Sequence, residues 1–152
     1  MTGGNAMKKD AVFWSLIIAV PLIVGLAVYL IFKPSAFVSK WFYDLFGWRQ
    51  PAIETPLSPF WIFIRFYLCD LLWALSLTAV SQLILGTGRK QVIVSFLICV
   101  LTGTAVELLQ HHGIIPGTFD IWDLIVESIG SVLSIIITTT HTRRKRNEKK
   151  IS

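Results

Sequence analysis

Charge is the scarcest commodity in this sequence. Only 15% of its 152 residues are Asp, Glu, Lys or Arg, against 54% hydrophobic. With a mean hydropathy of +0.67, that composition excludes an ordinary water-soluble domain and a disordered segment, and points to a membrane protein. Cysteine is almost absent. Cys69 and Cys99 both lie in apolar runs, away from a second Cys or a His at metal spacing, so they read as small buried hydrophobes and not as a disulfide framework or a zinc site. There is no H-E-x-x-H, no phosphate-cradling glycine loop and no Ser/His/Asp arrangement. The net charge of +5 does not indicate a nucleic-acid partner, because the basic residues sit at the chain ends and in one short loop.

What is present is a series of long apolar runs. Ala11–Phe32 carries no charge and is long enough for a membrane span, which needs about 20 residues. It exceeds a signal-peptide core and no A-x-A site follows it, so we read it as retained. Pro21 should kink this helix without ending it. Residues 1–10 form a short polar-to-basic segment. Within it, Met7 is a candidate start, and Met1–Ala6 is left out of the fold reading. Further spans are expected over Phe60–Leu85, Gln91–His111 and Phe119–Thr140, with a basic tail over 141–152.

The segment between the first two spans differs in kind. Val38, Trp41, Phe42 and Leu45 recur at i, i+3, i+4 and i+7, which predicts a short amphipathic helix at the membrane interface. Gln50–Pro59, with three prolines, reads as an extended linker. Ser58 followed by Pro59 is a helix start with a capping hydroxyl. The expected fold is therefore an all-α membrane protein, a four-transmembrane-helix bundle over residues 11–140 with an interfacial helix between spans one and two. Lys8, Lys9, Arg89, Lys90, Arg143, Arg144, Lys145, Arg146, Lys149 and Lys150 would all share one side. The positive-inside rule makes that side, with both termini, cytoplasmic.

Against this background the stretch Val106–Gly130 stands out. It reads VELLQHHGIIPGTFDIWDLIVESIG and holds Glu107, Asp120, Asp123 and Glu127. An ionised carboxylate at the bilayer centre costs about 3 kcal/mol on insertion scales, so a group of them marks a functional polar site. Asp120, Asp123 and Glu127 form one helical stripe, continued by Ser131 and Ser134. Glu107, Gln110 and His111 form a second, with small residues at Gly103 and Thr104. Arg65 and Asp70 lie on the second span, about 140° apart on a continuous helix. At about 1.5 Å per residue, Arg65, Asp70, Glu107, Asp123 and Glu127 fall in one layer, roughly 6–15 Å from the extracytoplasmic helix ends. Arg65 is the one fixed cation expected there, so an Arg–carboxylate pair is anticipated. The other acids must protonate, hydrogen-bond, meet water or hold a cation. Asp120 alone is equally well explained as a helix cap.

Glu107-Leu-Leu-Gln110, a turn with Pro116-Gly117, then Asp120, Asp123 and Gly130 resembles the VanZ-like family, as does Arg65-x4-Asp70-x2-Trp73 ahead of it. The likeness runs from about Phe60 to Ser134. Two departures are that relatives usually carry Arg near Thr118 and Asn at the position of Glu127. The resemblance implies a multi-pass protein of the bacterial cytoplasmic membrane, in a family whose founding member is linked to teicoplanin resistance. Three readings remain open. The first is an envelope accessory protein whose site engages a lipid-linked or cell-wall ligand. A divalent cation on Glu107, Asp120 and Asp123 would fit that reading, Mg²⁺ or Ca²⁺ by ligand hardness. The second is a membrane-embedded enzyme using paired carboxylates. The third is a proton- or cation-coupled transporter, which with four spans would require a dimer.

Overall fold

A computed structural model describes residues 3–33, 36–49 and 58–151. The chain is all-helical there, with six helices: α1 (Gly3–Phe32), α2 (Phe37–Phe46), α3 (Pro59–Phe66), α4 (Leu68–Leu85), α5 (Arg89–His111) and α6 (Ile121–Ile151). Among the described residues four stretches are long and apolar enough to cross a membrane: Asp10–Phe32, Leu68–Leu85, Arg89–His111 and Ile121–Glu148. This is the four-span bundle expected from the apolar runs, and the chain is a multi-pass membrane protein. Most of the Gln50–Pro59 linker lies outside the described residues.

Three boundaries differ from the sequence reading. The first helix begins at Gly3, ahead of the apolar run. The last continues to Ile151, so the basic tail is a helical extension. Neither glycine nor proline interrupts Val132–Ile151, and an exposed Arg144–Glu148 pair at i, i+4 supports the helix there. The second span is not one helix. It ends at Phe66 and restarts at Leu68, with Tyr67 between.

The interior is more polar than apolar. Buried hydrophobic residues are few (Ile17, Leu30, Tyr43, Ala74, Ala79, Cys99 and Val126), while Ser76, Thr78, Ser81, Gln82, Ser131, Ser134 and Thr138 are buried along α4 and α6. Large apolar side chains point outward all along the spans, with Ile84 76% and Leu101 65% exposed. That inversion suits a lipid solvent, where helices associate through small residues and interhelical hydrogen bonds. Helix α4 is the hub, packed against α1, α3, α5 and α6. Thr78 donates to Ser131 Oγ at 2.8 Å, Thr138 donates to Gln82 Oε1, and Ser76 donates to the Ile18 carbonyl at 3.0 Å. Gly130 lets α6 meet α4 at the backbone: a Cβ there would stand 2.4 Å from the Leu71 carbonyl oxygen.

The short helix α2 lies as its periodicity indicated. Val38, Trp41 and Leu45 are exposed, while Ser39 and Tyr43 are buried, leaving an apolar face free for the interface. Gly47, with φ 62°, closes the helix: the Trp48 amide donates to the Tyr43 carbonyl at 3.0 Å. The Tyr43 hydroxyl donates to the Leu30 carbonyl at 2.8 Å, in a buried position, and so ties α2 to the end of α1. Tyr43→Phe is expected to lose about 1 kcal/mol, read as a lower midpoint in detergent unfolding, with no change in helix content. At α3, Ser58 occupies the cap position and Pro59 the first turn as expected, but the Ser58 hydroxyl makes no capping bond.

Candidate functional site

The turn between α5 and α6 is built by its glycine. Gly113 takes φ 67°, and the amides of Gly113 and Ile114 donate back to the carbonyls of Gln110 and Leu109, each at 2.9 Å. This is the glycine-closed helix end in which a left-handed residue satisfies the last carbonyls. The turn brings Glu107 beside the start of α6, where its Oε2 accepts the Asp120 amide proton at 2.8 Å. Asp120 Oδ1 in turn accepts from the Trp122 amide at 2.9 Å, and the Tyr67 hydroxyl reaches Asp120 Oδ2 at 3.5 Å. Asp120 is thus a helix cap, and Glu107 satisfies a second orphan amide at the same end. Tyr67 joins them from the break between α3 and α4.

Nearly two turns into α6, Glu127 is 4% exposed, as is Glu107. Its carboxylate fills the hollow left by Gly103 on α5: a Cβ there would sit 1.7 Å from Glu127 Oε2. Among the described residues that oxygen has no hydrogen-bond partner. Asp70, Glu107 and Asp123 all act electrostatically on Glu127, and Trp73 lies against it. Carboxylates of α4, α5 and α6 therefore lie near one another at this end of the bundle. Gln110 belongs to the turn beside it, its side-chain amide lying over Gly117.

Two placements depart from expectation. Arg65 does not join the group. It is exposed on α3, its guanidinium 5.4 Å from the Phe66 ring, and among the described residues it forms no ion pair. The break at Tyr67 removes the fixed helical phase that would relate Arg65 to Asp70. Among the described residues, the basic side chain within electrostatic range of Asp70 and Asp123 is instead Lys33, just after α1. The sequence signal was its position at the same end of the first span as the acids. Nor do Glu107, Asp120 and Asp123 converge as a cation cage: among the described residues no three His, Cys, Asp or Glu side chains stand close enough to share a metal. Glu107 and Asp120 spend their oxygens on backbone amides instead. His111 is exposed, edge-on to Phe119 at 5.6 Å.

These features define the class: a multi-pass, all-helical membrane protein with a buried carboxylate group at the end of the bundle where α6 begins. Comparison of the chain with protein-family models, with curated proteins and with solved structures finds no match.

Proposed function

We propose that the chain is a VanZ-like accessory protein of the bacterial cell envelope, whose acidic group engages a lipid-linked or cell-wall ligand from the extracytoplasmic side. The observation that carries this reading is the Glu107–Asp120 hydrogen bond across the Gly113 turn. It joins the two halves of the Glu-x-x-Gln…Asp-x-x-Asp pattern in space, with Asp70 and Glu127 in the same electrostatic group. Polar groups of this density in a membrane bundle are functional by default. The concentration of Lys and Arg at the opposite end supports an extracytoplasmic acidic end. Lys33 supplies a cation at the rim, so the group presents both signs of charge to a polar ligand.

Glu107→Gln and Asp123→Asn test the reading. Glutamine keeps an acceptor for the Asp120 amide and asparagine keeps the volume, so both variants should accumulate normally. Each is expected to raise sensitivity to envelope-directed antibiotics severalfold at equal protein levels. Unchanged sensitivity in both variants removes the proposal.

A further inference from the structure

A second polar site stands at the other end of the bundle, at the junction of α1, α4 and α6. It is a cleft of ≈ 420 Å³ bordered by Asp10 and Trp14 of α1, by Gln82 and the Gly86-Thr87 loop, and by His141, Lys145 and Arg146 of α6. The fourteen residues from Glu127 to His141 put it about 21 Å along α6 from the acidic group. The two sites are independent.

Two contacts join the walls of the cleft. His141 stacks flat on Phe13, ring centroids 3.7 Å apart, and Lys145 pairs with Asp10. Yet among the described residues two polar atoms at the cleft lack partners. Gln82 is 1% exposed. Its Oε1 accepts from Thr138, but among the described residues its Nε2 donates to nothing and Asp10 Oδ1 accepts from nothing. A buried donor and a buried acceptor left open at one site are costly unless something completes them. The pairing with Lys145 neutralises Asp10, so among the described lining residues Arg146 is the uncompensated fixed charge. Trp14, at this level of the bundle, is the residue type enriched among headgroups, and the cleft opens beside the exposed apolar Leu83.

We propose that this cleft seats the headgroup of one phospholipid whose phosphate ester carries a hydrogen-bond donor. Arg146 and the Gln82 amide hold the phosphate, the free oxygen of Asp10 accepts the headgroup N–H or O–H, and the acyl chains run down past Leu83. Arginine and an amide together suit a phosphate diester. The Asp10 acceptor discriminates: an ethanolamine headgroup donates to it, whereas a choline headgroup, equal in charge, has no N–H.

Native mass spectrometry of the purified full chain, with phosphatidylethanolamine or phosphatidylcholine added to the detergent, tests this. One phosphatidylethanolamine should be retained, with phosphatidylcholine lost. Arg146→Gln should weaken retention about fivefold, and Gln82→Leu about tenfold or more. Arg144→Gln should leave it unchanged, because Arg144 pairs with Glu148 away from the cleft. In the Gln82→Leu variant the single Thr138 hydroxyl proton turns to the Ser134 carbonyl at 2.8 Å, and Arg146 is exposed, so at least one variant remains folded. Equal retention of the two lipids, wild-type retention by both cleft variants, or displacement by an equal concentration of inorganic phosphate would each overturn the proposal.

Discussion

Gly130→Ala is expected to destabilise the bundle by about 3 kcal/mol, the upper end of the usual range for overpacking. The added methyl would lie 2.4 Å from the Leu71 carbonyl oxygen, with the Ala74 Cβ at 3.3 Å. The nearest obstacle is backbone on α4, not a side chain that can rotate away. Relief requires α6 to move off α4, and that movement weakens the Thr78–Ser131 bond beside it. Gly25→Ala is the matched control. The same methyl on α1 would meet the Leu72 Cβ at 3.6 Å, an ordinary contact, and stability should stay within about 0.5 kcal/mol of the parent. Reversible unfolding of both variants in mixed micelles decides the matter, and equal midpoints would mean that Gly130 does not set the helix spacing.

The second large effect is expected at Gly103. Alanine there collides with Glu127 Oε2, 1.7 Å from the new Cβ, and should cost about 1–3 kcal/mol. Here the obstacle is a side chain, so the cost should be conditional. In a Glu127→Ala background the hollow is empty and Gly103→Ala should become nearly neutral. The double-mutant cycle should therefore return a coupling of about 1–3 kcal/mol between α5 and α6. Additive effects would show that Glu127 does not occupy the Gly103 hollow.

Much of this architecture is legible in the sequence because lipid imposes strong rules. Ala11–Phe32 announces itself by length and lack of charge and Gln91–His111 by length with Glu107 its one acid, and the residues Val38, Trp41 and Leu45 mark the exposed face of α2 by period alone. The carboxylate stripes are equally plain, since 120, 123 and 127 share a face on any helix. What stays hidden depends on phase and on distance along the chain. Nothing in Phe66-Tyr67-Leu68 signals a break, because neither proline nor glycine stands there, so Arg65 is read on the wrong helix and given the wrong role. Lys33 comes within electrostatic range of Asp70 and Asp123 only through the packing of α1 on α4, which no local pattern encodes. Glu127 against Gly103 is a case between the two. A small residue on one span and a long acid on the next are visible separately, but their alignment depends on the rotation of both helices.

The polar seam between α4 and α6 also bears on how stability changes with temperature. A water-soluble domain hides its apolar surface from solvent on folding, and the large heat-capacity increment of unfolding follows from that transfer. Here Ile84, Leu101 and their neighbours face outward in the folded bundle and would still face hydrocarbon if the helices parted within the bilayer. Separation exposes hydroxyls, amides and glycine backbone instead. The increment is then small, and the stability curve of the bundle is close to a straight line in temperature where that of a soluble domain is a dome. Such a line has no cold-denaturation limb, so cooling tightens the contact between α4 and α6 throughout the range in which the lipid remains fluid.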